Sequence, residues 1–545
     1  MRRLLFISFM VALAVVGCDD TDEVAPTVLN FNRPIDITFA CYGSMRFTGG
    51  SAADLTQAVG SSAEPIEACN IRSEPAGSGG ITPVPAGQEN LGSANGLPES
   101  DVGASAWYAF VLQSVPGTVG IATFDTKPAT GFSGVDDVTV LDADPLTPGK
   151  SGFTMGVQPI GLITDNAGCF EVTANAGSCD LSALDITRAL NYQSDPQTAL
   201  ANNQPVRITS MPVTNANGIP LRAKPAAIVA QPPGGTIGQA CAATPTGLAY
   251  IAYPSCHLVA GVDLSTGTVV TAISLDATGT ANLLVGSDVA DVTCPDECSG
   301  GGQTTPGPRP TSLDLQLDPN GSRKVLVIGS ENSNIVPVFD LDVNYLPTTP
   351  FFNVVLQDLT GTLGINQVKL SPSIGMGGDQ RMLNDGMSPP GGNMQFVYAI
   401  ANDASVRVAN ILNPPYTECD EQVDPRYLRS NSNVSFMSCM PVGGATTPPR
   451  RAGAIGPGIV LVNRLPAIDT QTTSTSATTT PVTTLSGGTA AITPPMGIDI
   501  FQIPSATGNQ PAPTTMIGYF GIITGANGQS YVLNVDDDGQ PDYVG

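Results

Sequence analysis

Six stretches of this chain open on a proline turn, or its equivalent, and run straight into an alternating strand. They are Arg33-Pro-Ile-Asp-Ile-Thr-Phe39, Gln158-Pro-Ile-Gly-Leu-Ile163, Lys224-Pro-Ala-Ala-Ile-Val229, Arg309-Pro-Thr-Ser-Leu-Asp-Leu315, Asn366-Gln-Val-Lys-Leu370 and Pro495-Met-Gly-Ile-Asp-Ile500. After a variable gap each is followed by a hairpin. The hairpins close at Asp125, Asp185, Asp263, Asp340, Asn410 and Asp536, and four residues before each end stands Ile121, Leu181, Val259, Val336, Val406 or Val532. A strand, a polar turn and a second strand closing on Asp is hairpin chemistry, seen plainly from Val327 to Asp340. Recurrence is the constraint: one supersecondary unit, used repeatedly, buries its apolar faces only against copies of itself. A pair of β-sandwiches would offer the same short strands, but its strands have no reason to repeat one another.

The unit starts lie 125, 66, 85, 57 and 129 residues apart, whereas a four-stranded unit needs only ~40–50. The excess reads as loop. With 60 Gly, 47 Pro and 13% charged residues the chain is rich in turns, and long helices would be out of character. The segment Leu248 to Leu275, containing Val262-Asp-Leu-Ser-Thr-Gly-Thr-Val-Val270, resembles the repeats of YVTN-type β-propellers, in which a Pro-x-Gly turn leads to strands and a hairpin closing on Val-x-Asp. That resemblance covers about Asn30 to Asp536, with no unit carrying the signature tetrapeptide intact. It implies an all-β fold, a β-propeller of six or seven blades with long low-complexity loop insertions near 49–104, 276–308, 372–392 and 413–492. A degenerate seventh unit is expected around Gly458-Ile-Val-Leu-Val462. The last unit looks one strand short, and Val28-Leu-Asn-Phe31 is the expected supplier, which would close the ring and remove its exposed edges.

The first residues have a basic tip, Arg2 and Arg3, and an apolar run from Leu4 to Val16. That is the form of a secretory signal and shorter than the ~20 residues of a bilayer span. Val15-Val16-Gly17-Cys18 resembles the lipobox of bacterial lipoproteins. The resemblance implies lipid on the Cys18 thiol and cleavage before it. Asp19, Asp20, Asp22 and Glu23 follow at once. The expected plan is a signal peptide over 1–17, an acidic tether over 18–27 and the propeller domain over 28–545. Losing Arg2 and Arg3 with the leader takes the net charge from −25 to −27. That balance argues against nucleic acid as a partner and against adhesion to anionic lipid by charge.

Of eleven cysteines, ten remain besides Cys18, an even number suited to an oxidising compartment. They fall into neighbours: Cys41 with Cys69, Cys169 with Cys179, Cys241 with Cys256, Cys294 with Cys298, and Cys419 with Cys439. Five local disulfides are the expectation. Zinc would have only Cys294-Pro-Asp-Glu-Cys298 as a tight pair, and no second pair or nearby histidine to complete four ligands.

Catalytic motifs are scarce. His257 is the single histidine and reads as a surface turn residue. There is no Gly-x-Ser-x-Gly elbow and no Gly-x-x-x-x-Gly-Lys loop. Asp125, Asp185, Asp263 and Asp340 recur once per unit, which points to turn capping. Trp107 and Tyr108 sit in the strand-like run Ala106 to Leu112, where core packing is favoured over a ligand platform. In the tail, Asn534, Asp536, Asp538 and Asp542 present oxygens in the manner of a calcium loop, although position twelve falls on Gly545 and supplies no bidentate acid.

The functional expectation is a non-catalytic envelope lipoprotein whose propeller is a binding or scaffolding module. Its partners would be membrane lipid through Cys18 and a protein of the envelope. No cofactor is expected, with calcium as the open alternative. The resemblance to propeller lactonases and dehydrogenase subunits implies the rival, an enzyme with a metal or cofactor in the central channel. A sugar-binding adhesin is disfavoured by an aromatic content of 6% with one Trp. The outer membrane or cell surface is the favoured location, with the periplasmic face of the inner membrane as runner-up because Asp19 follows the lipidated position.

Overall fold

The computed structural model describes residues 31–43, 62–64, 72–75, 81–84, 106–115, 117–125, 137–146, 149–194, 196–201, 206–234, 241–299, 307–317, 323–356, 362–372, 374–375, 393–411, 461–464, 495–503, 518–526, 530–535 and 541–542. Within them the chain forms eight antiparallel sheets: six of four strands or more follow one another along the chain, and two are two-stranded ribbons, Arg72–Pro75 with Ile81–Val84 and Ile374–Gly375 with Asn393–Met394. The ribbons lie in or beside stretches expected as loop, where Ser62–Glu64 also joins the first sheet. The fold is an all-β propeller.

Blade one is built from Pro34–Gly43, Ala106–Gln113, Thr118–Asp125 and Asp137–Leu141. Blade two is Pro159–Thr164, Phe170–Asn175, Asp180–Asp185 and Ile208–Pro212. Blade three is Ala227–Ala230, Leu248–Tyr253, Leu258–Asp263 and Thr268–Leu275, with Ala281–Val285 added outside. Blade four is Pro310–Leu317, Lys324–Ser330, Ile335–Asp340 and Phe352–Val355. Blade five is Ile365–Leu370, Phe396–Ala401, Ser405–Asn410 and Leu461–Arg464. Blade six is Pro495–Ile503, Gly518–Gly525, Ser530–Val535 and Pro541–Asp542.

The first strand of each blade is the inner one, and each lies beside the inner strand of the next blade from one to six. All six are the proline-turn strands read in the sequence. Their motif has a structural cause. In blades one, two, four, five and six the ladder slips one residue just after the opening position, as between Pro34 and Asp36 or Pro495 and Gly497. Proline has no N–H to give the ladder, so a bulge at a strand start is where it fits. Arg33 and Gln158, just before two of these prolines, take left-handed φ of 53° each. The expected hairpin ends are likewise real: Asp125, Asp185, Asp263, Asp340 and Asn410 end the third strands. Asp536 lies outside the described residues.

Apolar cores lie between blades, as sheets with two buried faces require. Phe110, Leu112, Leu162 and Leu184 fill the seam of blades one and two. Val172, Leu181, Ile228 and Ile251 fill that of two and three. Tyr250, Ile273, Leu326 and Phe339 join three and four, and Val327, Val338, Val368 and Val397 join four and five. A nine-residue helix, Ile186–Ser194, follows the third strand of blade two and buries Ile186, Ala189 and Leu190 against blade one.

Three expectations are corrected. Leu461–Arg464 is the fourth strand of blade five, so it starts no seventh unit. The fourth strand of blade six comes from Pro541–Asp542 at the chain end; Val28 to Asn30 lie outside the described residues. The stretch 276–308, expected as loop, contributes the extra strand of blade three. The inner strand of blade one is packed unlike the others. Leu162, Ile228, Leu313, Val368 and Ile498 occupy one equivalent position on the other inner strands and are 8% exposed or less, whereas their counterpart Ile37 is 49% exposed.

The disulfides are long-range. Cys169 joins Cys241, Cys179 joins Cys298 and Cys256 joins Cys294, with sequence separations of 72, 119 and 38. Local pairing of Cys169 with Cys179, Cys241 with Cys256 and Cys294 with Cys298 is therefore overturned. The reason is the fold: Cys169 and Cys179 lie at opposite ends of the strand Phe170–Asn175 and cannot meet. Cys41 is also disulfide-bonded, to a residue outside those described; Cys69, Cys419 and Cys439 lie there too. Peptide mapping of the unreduced protein is expected to return the three long-range links, each worth about 2–4 kcal/mol; recovery of a Cys169–Cys179 peptide would contradict this fold.

Candidate functional site: the inner ring and its entry face

The inner strands carry polar side chains at alternate positions, which places them on one face of each strand, toward the next blade. Their partners are backbone amides. Leu162 N–H of blade two donates to Asp36 Oδ2 of blade one at 2.8 Å. Val368 N–H and Leu370 N–H of blade five donate to Ser312 Oγ and Asp314 Oδ2 of blade four at 2.8 and 2.6 Å. Ile498 N–H of blade six donates to Gln367 Oε1 of blade five at 3.2 Å. Asp36, Ser312 and Gln367 share the third position of the repeat motif, so they form one recurrent device, a side-chain clip from the inner strands of blades one, four and five to the next. Blades two and three hold Gly161 and Ala227 at that position. A Cβ on Gly161 would lie 2.8 Å from Ile228 Cγ2, so the close approach of two apolar blades takes the place of a clip. The seam of blades two and three is also where two disulfides, Cys169–Cys241 and Cys179–Cys298, tie the blades' flanking segments.

Two ionisable clusters result. Between blades one and two, Glu171 is fully buried and accepts from Thr38 Oγ1 at 2.7 Å and Thr164 Oγ1 at 2.9 Å. Burial pushes its carboxyl well above the usual range of 4.5, and the nearby Asp165 and Asp36 carboxylates add to the rise. Burial also raises Asp36, against the pull of its two amide donors and of Lys369 across the ring. Between blades four, five and six, Lys369 Nζ lies 3.5 Å from Asp314 Oδ1 and 3.2 Å from Asp499 Oδ1. The Asp314 carboxylate, then Asp499, holds the Lys369 ammonium above its ordinary range. Burial pushes Asp314 upward in turn, opposed by Lys369.

Each inner strand starts on one face of the ring, the entry face, and the turns between second and third strands lie there too. Backbone bonds fix this: Ser114 to Arg33, Ala176 to Gln158, Glu331 to Arg309 and Asn402 to Gly364, at 3.2, 2.9, 3.1 and 2.9 Å. Across blades two and three the segment Cys294–Cys298 is held to that face by its disulfides to the turn residues Cys256 and Cys179. Glu297 Oε2 there accepts from Lys224 N–H and Ser255 Oγ at 2.7 and 2.8 Å.

The residues singled out in the sequence are scattered. His257 is a turn residue with a left-handed φ of 51°, and its Nδ1 meets Pro308 O at 2.5 Å. Asp263 Oδ1 accepts from Ser265 N–H at 2.8 Å, Asp185 Oδ1 from Arg188 N–H at 3.0 Å, and Asp340 pairs with Arg323 at 2.8 Å. These are scaffold roles. The Tyr108 ring meets Tyr42 edge-on at 5.9 Å, and Trp107 stands opposite Cys41 in the ladder. Asn534 and Asp542 are cross-strand partners in blade six; Asp536 and Asp538, with Cys18 and Asp19, lie outside the described residues. No group of three His, Cys, Asp or Glu among the described residues is arranged to hold a metal. Sequence reading missed the clip residues and Lys369, although the one lysine among the six inner-strand motifs past their opening position was a visible signal.

No protein-family model and no curated protein matches this chain. Among solved structures it is similar to the Pseudomonas aeruginosa periplasmic gluconolactonase, at 12% identity over 68% of this chain and 92% of that one, with a TM-score of 0.25. A β-propeller domain from Myceliophteria thermophila is 12% identical over 56% and 79%, with a TM-score of 0.27. Hydrazine synthase of Kuenenia stuttgartiensis is 13% identical over 60% and 76%, with a TM-score of 0.25. The fold assignment rests on blade order and seams, not on these likenesses.

Proposed function

We propose that this chain is a lipid-anchored envelope protein whose propeller is a non-catalytic module for binding or scaffolding a protein partner. The observation that carries the reading is the employment of the inner ring's ionisable groups. Asp36 and Asp314 accept amides of the next blade, Glu171 is satisfied by two threonines, and Lys369 sits between two aspartates. Catalysis needs groups poised toward a substrate; these are turned toward one another and bind blade to blade. The lipobox-like Val15-Val16-Gly17-Cys18 supports the anchor, and the three long-range disulfides fit an oxidising compartment. No described helix is long and apolar enough to cross a membrane. The outer membrane or cell surface remains the favoured address, with Asp19 keeping the inner membrane as runner-up.

The Cys18→Ser variant is expected to lose its acyl chains and move from the membrane to the soluble fraction; retention in the membrane after leader cleavage would sink the anchor. Cross-linking and affinity capture of the intact lipoprotein from its own envelope is expected to return one dominant protein. Turnover of lactones by the purified protein, or a stoichiometric metal or redox group on elemental and optical analysis, would replace the scaffold reading with the enzymatic one.

A further inference from the structure

The described chain begins at Phe31, thirteen residues after Cys18, and passes directly into the inner strand of blade one at the entry face. Thirteen residues span at most about 45 Å when fully extended. The inner strand of blade one has ten residues and so is itself about 33 Å long. A tether to the opposite face would use most of its reach in passing the ring. One to the near face uses almost none.

The entry face also carries the apolar residues that such a placement requires. Ile35, Val115, Val157 and Met496 are 48, 53, 58 and 68% exposed. Ile35 and Met496 hold the same motif position on blades one and six. Val115 lies in the turn of blade one, and that turn approaches blade two, where a Cβ on Gly117 would lie 3.5 Å from Pro159 Cδ. Val157 stands two residues before the inner strand of blade two, and its carbonyl accepts from Gly177 N–H at 2.8 Å. The four thus lie at one end of the fold, on blades one, two and six, and exposed apolar side chains gathered at one end of a fold mark an interaction site. Charge allows lipid as the partner. Although the chain carries −25, three acids of this face have cationic partners: Glu331 with Arg309 at 2.6 Å, Asp296 with Arg222 at 3.1 Å and Asp403 with Arg407 at 2.8 Å.

We infer that the entry face lies against the lipid surface, with Ile35, Val115, Val157 and Met496 as its apolar contacts, so that the opposite face and the outer rim are presented to partners. This rests on the lipid anchor at Cys18. The test uses full-length protein purified from its own cells, on phosphatidylcholine vesicles whose acyl chains are partly brominated. Tryptophan is introduced as Val115→Trp, Val157→Trp or Val343→Trp, the last an 83% exposed residue just past the end of Asp340 on the far side of its blade. Quenching is compared with the parent, which holds Trp107 alone. At least twofold greater quenching of the indole at 115 and 157 than at 343 is expected. Equal quenching at all three, or more at 343, overturns the orientation. Flotation of the parent with the vesicles is scored first: protein that carries no acyl chain and stays at the bottom overturns the anchor itself, whereas floating protein with unquenched indoles at 115 and 157 overturns only the orientation.

Discussion

Replacing Lys369 with methionine is expected to cost about 2–3 kcal/mol, read as a lower denaturation midpoint with an unchanged slope. Asp314 is the reason. Its side chain is 12% exposed, and Lys369, 33% exposed, is its cation. Removing one partner leaves a carboxylate in a poor dielectric. Breaking a fully buried pair costs about 3–5 kcal/mol, and solvent at Lys369 brings the value below that range. The deficit should depend on pH with a definite sign. Asp314 already titrates above its ordinary 3.8 because of burial, and without Lys369 it will titrate higher still. The variant's deficit therefore shrinks as pH falls through that raised value and is full above it. Asp314→Asn in the same chain should recover most of the loss, since an amide oxygen can still accept from Leu370 N–H. A double-mutant cycle with no coupling would show that the pair is not what holds blades four and five.

Glu171→Gln is expected to stabilise the protein at neutral and alkaline pH. The glutamate is fully buried, with Thr38 and Thr164 as hydrogen-bond partners and the carboxyl groups of Asp165 and Asp36 nearby. Its native carboxyl titrates well above 4.5. An acid raised in the native state binds its proton more tightly there than in the unfolded chain. Its contribution is therefore complete below the unfolded value and is lost as pH rises through the native one, at about 1.4 kcal/mol for each unit of elevation. Glutamine keeps an oxygen for the threonines and never ionises. Stability measured by chemical denaturation from pH 4 to pH 9 should fall more for the parent than for the variant. Parallel curves would mean that Glu171 does not carry the proton.

Why the sequence revealed the inner strands but not their chemistry follows from distance along the chain. The proline turns, alternating strands and Asp-closed hairpins are local, set by a missing N–H, a two-residue period and an Asx turn, so all six units could be found by eye. The clips are not local. Asp36 and Leu162 are 126 residues apart, and nothing in either segment alone indicates that one side chain meets the other's amide. The disulfides failed for the same reason. Nearness in sequence suggested Cys169 with Cys179, but a six-residue strand between them turned nearness into opposition. Leu461–Arg464 misled because 50 residues separate it from Asn410, as many as a whole blade needs, although it completes the same sheet.

The entry of the chain through an inner strand has a mechanical consequence. A ring suspended from its rim hangs at a fixed attitude, and each rotation must wind or stretch its suspension. This one takes its lead from Pro34, beside the central axis, so turning about that axis displaces the attachment point very little. On the lipid anchor proposed at Cys18, the module would act as a swivel: its rim loops sweep the same circle whatever the angle, and the proposed partner engages it without first finding its bearing.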